Sequence, residues 1–394
     1  MIDSVGIKYS NYNRPIFKGE VENSNNSKKN SETEKEGMQK YLTGKNVMIG
    51  LSAIGLVTLG IIGHKNGWFS KGAKTLAKNS SDDAKVNPQN LRVKVETQLD
   101  GTKFILETDS KTGKMVKRTA YQNDGNTIKC IEEFDPQTEK PVKTTFYNSD
   151  GEKIHSINEF DPQTEKLVKT TFYNPDGEKI HSINEVDPQT GKLVKTTFYN
   201  SDGQTIKSIA EVDSQTGKPL KVTYYNSDGQ TIKSIAEVDL QTGNPVKVTY
   251  YENEQVKVII ESDPQTEKMI KSTNFNELDG KIIKSVTEYD PTTGKRTKYT
   301  AYQADGKTIE AVVDYDPTTG DKLKETYYQA DGKTIEKVAD YDPITGEMIK
   351  TTYYQADGKT VSSVHEYDPN TEKLISSTTY EPDGVTVKTI ETFD

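Results

Sequence analysis

From about residue 96 to residue 394, short runs rich in Thr, Tyr, Val and Ile alternate with short polar segments that contain Gly, Asp and Asn. Two such runs, Leu193 to Tyr199 and Thr205 to Val212, are bounded by turn residues on both sides. This composition is typical of β-strands. Because no helical periodicity appears after residue 95, the pattern predicts a series of antiparallel β-hairpins.

The polar segments belong to a repeat that contains two turns. One turn has the pattern of Asp187–Lys192 (Asp-Pro-Gln-Thr-Gly-Lys), and the other that of Asn200–Gly203 (Asn-Ser-Asp-Gly). The first turn opens at 26-residue intervals with Asp109, Asp135, Asp161, Asp187, Asp213 and Asp239, and again with Asp290, Asp316, Asp342, Asp368 and Asp394. The regularity predicts about 11 tandem hairpins of about 26 residues.

The residues of each turn indicate its geometry. In Asn174–Gly177 (Asn-Pro-Asp-Gly), Asn and Pro favour a type I turn, and Gly accepts the left-handed conformation that closes a hairpin with a bulge. The Asp-Pro-x-Thr-Gly-Lys turn uses the same chemistry in a loop one residue longer. Unless a bulge restores the register, a three-residue loop followed by a four-residue loop moves equivalent side chains to opposite faces in successive units.

The predicted pairing distributes polar and apolar residues over both faces of the hairpin. One face carries Lys169, Thr171, Tyr173, Lys179, Ile183 and Glu185; the other carries Val168, Thr170, Phe172, Ile180, Ser182 and Val186. The chain is only 31% hydrophobic and 28% charged, which is lean for a two-layer core. We therefore expect an all-β repeat fold: an elongated, twisted, single-layer antiparallel β-meander.

The N-terminal quarter of the chain differs from the repeats. Residues 1–46 are polar and low in complexity, which predicts a disordered tail. Val47 to Gly63 is uncharged and apolar, and with its flanks it is long enough for one transmembrane helix. Residues 64–95 form a polar linker before the repeat domain 96–394. Flanking lysines are nearly balanced, so a cytoplasmic N-terminus with extracytoplasmic repeats is only the preferred of two orientations.

Composition excludes several classes of function. The net charge of −9 argues against binding to nucleic acid. Cys130 is the only cysteine, so no internal disulfide is expected. The histidine pair His155 and His181 lacks a third metal ligand, and the turn aspartates are explained by capping of their own turns. Since no catalytic or cofactor motif is present, we expect no enzyme activity, no cofactor and no bound metal.

Two places interrupt the regular pattern. The Asp-Gly turn is missing near Glu252, and the following unit, through Gly280, has one extra residue. Ordinary repeat drift is the preferred interpretation, and a bend or a binding point is the alternative. The chain stops at Asp394, where a further turn would begin. We expect no C-terminal effector domain and an open last strand, whose edge invites self-association although Lys388 and Glu391 oppose it.

The repeat resembles an uncharacterised bacterial hairpin-repeat family, a domain of unknown function. The resemblance rests on the residues from Tyr341 to Thr360, with Asp-Pro-Ile-Thr-Gly followed by Tyr-Tyr-Gln-Ala-Asp-Gly-Lys-Thr, and covers about residues 96–394. More distantly the units are similar to MORN-variant repeats and to the YD repeats of Rhs proteins. The family resemblance implies no known activity.

A tyrosine ends nearly every second strand, which suggests a repeated binding surface. The candidate residues are Tyr147, Tyr173, Tyr199, Tyr225, Tyr251, Tyr302, Tyr328, Tyr354 and Tyr380. We expect a membrane-anchored multivalent binding or adhesion protein at the bacterial cell surface, with an unidentified protein or glycan ligand. The alternatives are an envelope spacer without a ligand and a scaffold that faces the cytoplasm.

Overall fold

The computed structural model describes residues 85–86, 90–98, 101–276 and 280–393, all within a compact unit that spans Leu76–Asp394. The predicted disordered tail 1–46, the predicted membrane helix Val47–Gly63 and most of the predicted linker lie outside the described residues. Within the described ranges, no helix is long and apolar enough to cross a membrane.

The described residues form one antiparallel sheet of 25 strands, the first of which has two residues. The strands are β1 Lys85–Val86, β2 Leu91–Thr97, β3 Lys103–Asp109, β4 Met115–Tyr121, β5 Ile128–Phe134, β6 Pro141–Tyr147, β7 Ile154–Phe160, β8 Leu167–Tyr173, β9 Ile180–Val186, β10 Leu193–Tyr199, β11 Ile206–Val212, β12 Pro219–Tyr225, β13 Ile232–Val238, β14 Pro245–Glu252, β15 Gln255–Ser262, β16 Met269–Phe275, β17 Ile283–Tyr289, β18 Arg296–Tyr302, β19 Ile309–Tyr315, β20 Lys322–Tyr328, β21 Ile335–Tyr341, β22 Met348–Tyr354, β23 Val361–Tyr367, β24 Leu374–Tyr380 and β25 Val387–Thr392.

Each strand pairs with the strands that precede and follow it in the chain, so the sheet is a meander. Among the described strands, β1 and β25 do not pair with each other, which leaves the meander open. The prediction of an all-β antiparallel meander is confirmed. The sheet begins before residue 96, because β1 and β2 contribute Lys85–Val86 and Leu91–Thr97.

Both predicted turn geometries are confirmed by their hydrogen bonds. In the shorter turn, Gly177 has φ +76° and its N–H donates to the carbonyl of Asn174 at 2.8 Å. In the longer turn, Gly191 has φ +70° and its N–H donates across one more residue, to the carbonyl of Asp187 at 2.7 Å. These positive φ angles explain why glycine recurs there, since it carries no Cβ to clash.

A bulge accompanies both kinds of turn and keeps the register constant. Thr171 lies opposite Ile183, and Ile183 lies opposite Thr197, so equivalent residues share a face in successive units. Of the two alternatives that the sequence left open, the structure has the one in which bulges restore the register, so the faces do not alternate. The prediction for Ile180 was wrong, since it placed this residue on the face opposite that of Tyr173. In the structure Ile180 pairs with Tyr173, because the register shifts between Phe172 and Tyr173.

The irregular unit preserves the sheet. β14 and β15 are joined by Asn253 and Glu254, whose φ angles of 50° and 63° define a two-residue turn. Next along the chain, Phe275 still pairs with Ile283 although the loop between them has one extra residue. The changes in length are therefore confined to the turns and to the strand ends beside them, where β14 and β15 are each one residue longer than their neighbours, and the strand register continues unaltered.

The most buried side chains are small and lie in the middle of the strands. Thr196, Ser182 and Thr287 are the largest fully buried side chains among the described residues. Thr196 and its neighbour Thr197 are both buried although they point to opposite faces. Longer side chains in neighbouring rows therefore shield small residues on both sides of the sheet, and cross-strand pairs of about 0.2–1 kcal/mol each contribute stability.

Candidate binding surface

Three parallel rows of side chains form one face of the sheet, which we call the Tyr–Thr–Lys face. Most even-numbered strands from β4 onward contribute Lys, Thr and Tyr at alternate positions, as Lys195, Thr197 and Tyr199 do in β10. Odd-numbered strands place an acidic residue, an Ile or Val, and a second Ile or Val opposite them. Because the register is constant, each row continues from unit to unit.

The first row is a ladder of ion pairs. The Nζ of Lys195 lies 2.8 Å from Oε1 of Glu185, and that of Lys169 lies 2.8 Å from Oε2 of Glu159. Equivalent pairs are Lys117–Glu107, Lys143–Glu133, Lys221–Glu211, Lys247–Glu237, Lys271–Glu261 and Lys350–Asp340. Such partly exposed pairs contribute about 0–1 kcal/mol each. Because each pair combines one positive and one negative side chain, this row does not form a basic patch.

The second row alternates Thr with Ile or Val along the sheet. Thr197 lies between Ile183 and Ile209, and Thr223 lies between Ile209 and Ile235. The threonines are buried and the isoleucines are half-buried. This row separates the ion-pair ladder from the tyrosines and is the apolar centre of the face.

The third row holds the nine candidate tyrosines. Each is half-buried and lies opposite an Ile or Val of the next strand. The pairs are Tyr147–Ile154, Tyr173–Ile180, Tyr199–Ile206, Tyr225–Ile232, Tyr251–Val256, Tyr302–Ile309, Tyr328–Ile335, Tyr354–Val361 and Tyr380–Val387. Equivalent tyrosines of adjacent units are two strands apart, or about 9.6 Å. The structure therefore brings them together as one periodic row.

Tyr121, which was not among the candidates, occupies the same place in β4. The Nζ of Lys103 lies 4.7 Å from the centre of its ring, within the range of a cation–π interaction. Phe275 takes the same place in β16. The row thus begins before Tyr147 and continues through the irregular unit as an aromatic position.

The opposite face contains a cluster that the sequence analysis missed. Glu325 accepts hydrogen bonds from the hydroxyls of Tyr327 and Tyr341 at 2.8 and 2.7 Å. Burial, followed by the charge of Glu325, raises the pKa of both phenols. Lys322 and Lys337 contact the two rings. The available signal was Glu325 itself, the only acidic residue in a column of the even-numbered strands β4 to β24 that otherwise holds Thr, Val or Ser, with Arg118 and Tyr299 as the other large residues.

The turn aspartates bind their own backbone. Oδ1 of Asp187 accepts hydrogen bonds from the N–H groups of Gln189 and Thr190 and from the Thr190 hydroxyl, at 2.8, 2.7 and 3.0 Å. These bonds, led by that of the Thr190 N–H, lower the pKa of Asp187. The predicted capping role is confirmed. Within the described ranges, no three His, Cys, Asp or Glu side chains are grouped closely enough to hold a metal ion.

His155 and His181 each contact the aromatic ring of the following strand. Their rings lie edge-on to Phe172 and Phe198, with centroids 6.4 and 6.3 Å apart. Cys130 is buried, and this burial, followed by the charge of Glu132, raises the pKa of its thiol to about 11. At neutral pH the thiol is therefore protonated and weakly nucleophilic.

The fold and its repeated face define a tandem hairpin-repeat protein. The model of the family described as "Protein of unknown function (DUF2963)" matches residues 98–146, 147–198, 199–250, 250–301, 277–327, 302–353 and 354–394. The chain belongs to this family, which confirms the resemblance to a repeat of unknown function. No curated protein matches the chain significantly.

Solved structures are similar to the chain at low identity. The crystal structure of TarM is 19% identical with a TM-score of 0.23, and the match covers 28% of this chain and 20% of that chain. TcdB2-TccC3 without its hypervariable C-terminal region is 13% identical with a TM-score of 0.20, and the match covers 76% and 19%. The Photorhabdus luminescens Tc holotoxin pore is 11% identical with a TM-score of 0.14, covering 76% and 20%. The chain spans about a fifth of these structures' length, and TM-scores this low carry no argument about function.

Proposed function

We propose that this chain is a membrane-anchored, non-enzymatic protein whose Tyr–Thr–Lys face binds a repetitive ligand at many equivalent points. The observation that carries the proposal is the periodic row of half-buried tyrosines, such as Tyr173 and Tyr199, each beside an Ile. A tyrosine offers a flat apolar ring together with a hydroxyl that can donate or accept a hydrogen bond. Such a row suits a ligand with both apolar and hydroxyl groups.

The ligand class we favour is an extended protein or glycan with repeated groups. Neighbouring tyrosines are about 9.6 Å apart, so a polymer with a similar repeat length can contact several of them at once. Once one contact has formed, the next contacts form at a high effective concentration, so that individually weak contacts give a strong overall affinity. The neighbouring ion-pair ladder carries alternating charges, which does not favour a polyanion such as nucleic acid.

We further propose that the repeats form an elongated single-layer sheet. The support is the burial pattern, because the largest fully buried side chains are Thr196, Ser182 and Thr287 rather than Leu, Ile or Phe. A two-layer fold buries large apolar residues on one face of each sheet. Small-angle scattering of the purified protein is expected to show an elongated particle, and a compact globular profile would rule this shape out.

The proposed anchor is the predicted transmembrane helix Val47 to Gly63, with the repeats outside the cytoplasm. Protease treatment of intact cells tests this placement. We expect the repeats to be degraded from outside while a cytoplasmic control protein survives. Repeats that persist until the cells are lysed would instead support the cytoplasmic scaffold.

The binding test compares the two faces within the same strands. The full chain, purified in mild detergent, is applied to an immobilised glycan array and to an isolated cell-envelope fraction. One variant carries Tyr147→Ala, Tyr173→Ala and Tyr199→Ala, and the matched control carries Phe146→Ala, Phe172→Ala and Phe198→Ala, one residue earlier on the opposite face. Retention is measured alongside the thermal unfolding of both variants.

The tyrosine variant lacks three of the nine candidate tyrosines. We expect its retention to fall by far more than one third, because multivalent binding falls steeply with the number of sites. The phenylalanine variant is expected to retain binding in proportion to its folded fraction. Equal losses in the two variants, or no specific retention of the unmodified chain, would overturn the binding proposal and favour a spacer.

A further inference from the structure

The tyrosine row of the Tyr–Thr–Lys face, which consists of Tyr121 and the candidate tyrosines, is more uniform than the position beside it. Every even-numbered strand from β4 to β24 contributes a tyrosine to this row except β16, where Phe275 takes its place. The residue directly before it points to the opposite face and is Ala, Phe, Tyr, Asn or Thr. The fold therefore accepts many residue types at one of two adjacent positions, while the other is almost always tyrosine.

Partial exposure to water does not account for this preference. Phe146 and Phe172 are half-buried, as are Tyr147 and Tyr173, which follow them in the same strands. The opposite face thus holds aromatic rings without a hydroxyl group in a similarly exposed position. Because phenylalanine is accepted there, a half-buried ring at the end of a strand does not by itself require tyrosine.

The fold makes no hydrogen bonds with the hydroxyl groups of the tyrosine row. On the opposite face, Tyr327 and Tyr341 donate hydrogen bonds to Glu325 at 2.8 and 2.7 Å. In the part of the chain that the structure describes, the hydroxyls of the tyrosine row have no such partner. Tyr224, on the opposite face, is the only described tyrosine whose unpartnered hydroxyl is buried, so those of the row reach solvent. They are therefore available to a molecule outside the chain.

Building on the function proposed above, we propose that the ligand is an uncharged glycan and that the hydroxyls of the tyrosine row select it. A tyrosine hydroxyl both donates and accepts hydrogen bonds. A glycan offers hydroxyl groups with the same two abilities along its whole length. The adjacent ion-pair ladder neutralises its own charges, as Lys195 and Glu185 do at 2.8 Å, so it favours a polymer without net charge.

A protein ligand fits the tyrosine row less well than a glycan does. Side chains on one face of an extended strand recur about every 6.7 Å, whereas neighbouring tyrosines of the row are about 9.6 Å apart. A polyproline II segment repeats about every 9.3 Å, but it docks on open, aromatic-lined grooves. In the row, the rings are half-buried beside Ile or Val, as Tyr173 is beside Ile180, and their hydroxyls reach solvent.

Phe275 interrupts the series of hydroxyls without interrupting the series of rings. It pairs with Ile283, as the tyrosines of the row pair with their own Ile or Val. The hydroxyls therefore form two blocks, from Tyr121 to Tyr251 and from Tyr302 to Tyr380. A glycan held through hydroxyl groups loses one contact at Phe275, whereas a ligand held through rings alone does not. Phe275→Tyr is therefore expected to strengthen glycan binding.

The test removes hydroxyl groups and keeps the rings. Full chain purified in mild detergent is applied to an isolated cell-envelope fraction, and retention is measured alongside thermal unfolding. The variant carries Tyr225→Phe, Tyr251→Phe and Tyr354→Phe, and the matched control carries Tyr224→Phe, Tyr250→Phe and Tyr353→Phe, one residue earlier on the opposite face. We expect the variant to bind at least about tenfold more weakly, because each lost hydrogen bond weakens binding several-fold. The control is expected to bind as the unmodified chain does.

Two treatments of the envelope fraction identify the class of ligand. Periodate cleaves the vicinal diols of glycans, and borohydride then reduces the resulting aldehydes so that they do not react with lysines. Protease removes protein ligands from a second portion. Retention of the unmodified chain is expected to be lost after periodate and kept after protease. The reverse pattern would overturn the glycan assignment and identify a protein ligand.

The outcomes distinguish a failure of this proposal from a failure of the proposed function. If Tyr147→Ala, Tyr173→Ala and Tyr199→Ala together abolish retention while the three Tyr→Phe substitutions leave it unchanged, the binding face stands. Selection by hydroxyl groups is then overturned. If the unmodified chain is not retained, both the binding face and its glycan ligand are overturned.

Discussion

A Cβ added at Gly203 would lie 2.7 Å from the backbone nitrogen of Ile180, which starts the corresponding strand one unit earlier. Each Asp-Gly turn from Gly151 onward has this kind of close contact with the previous unit. At Gly217, in the longer turn, a Cβ would meet nothing within 4 Å. The difference explains why the longer turn accepts Glu139 or Glu165 in place of glycine while the Asp-Gly turn does not.

Gly203→Ala is expected to destabilise the protein more than Gly217→Ala. Both substitutions place alanine at a positive φ, which costs about 1–2 kcal/mol. Gly203→Ala adds a clash with fixed backbone, and overpacking of this kind typically costs about 1–3 kcal/mol more. Thermal unfolding of both variants measures the difference; equal melting temperatures would show that the turns do not pack on one another.

Glu165→Gly is expected to stabilise the protein by about 0.5–1 kcal/mol. Glu165 has φ +59°, a conformation that glycine adopts without strain. The substitution also removes the exposed ion pair with Lys140, at 3.0 Å, which offsets part of the gain. The reverse substitution Gly191→Glu, in the next unit, serves as the control and is expected to lower the melting temperature.

Thr287→Val is expected to stabilise the protein by about 1 kcal/mol, because the buried hydroxyl of Thr287 has no hydrogen-bond partner among the residues that the structure describes. Val313 occupies the same column and shows that valine fits there. Thr196→Val is the matched control. Its hydroxyl donates to Oδ1 of Asn184 at 3.0 Å, so this substitution is expected to destabilise the protein. Denaturant unfolding that gave the same sign for both would contradict the prediction.

Acid is expected to destabilise the sheet between about pH 4 and pH 2. The Thr334 hydroxyl, followed by the N–H groups of Lys333 and Thr334, lowers the pKa of Asp331 from its ordinary 3.8 to about 2. Asp305 and Asp357 have the same environment and also titrate at about 2. Because the folded-state pKa is the lower one, the stabilisation is present above pH 4 and is lost as the pH falls through 2.

The measurement compares the unmodified chain with a variant that carries Asp305→Asn, Asp331→Asn and Asp357→Asn. Asparagine cannot ionise, so the variant is expected to melt at a lower temperature at pH 7 and to approach the unmodified chain near pH 2. A constant difference in melting temperature across this pH range would show that ionisation of these turns does not contribute.

The sequence was sufficient for the turns and strands, because Gly191 and Gly177 mark local conformations that depend on only a few neighbouring residues. The pairing of Tyr173 with Ile180 was not predictable in the same way, since it depends on where each bulge falls. The cluster around Glu325 joins residues of two strands. The sequence alone does not give the register between those strands, so it does not show which side chains contact each other. The tyrosine row was predicted as a set, whereas its isoleucine partners emerged from the observed pairing.

The two-residue turn at Asn253 and Glu254 shows how little one unit depends on the length of another. A shortened loop and a lengthened loop follow in succession, and Phe275 still meets Ile283 in the standard register. Whole hairpins can therefore be duplicated or deleted in the gene without redesigning the contacts of those that remain. The number of hairpins is therefore free to vary during evolution.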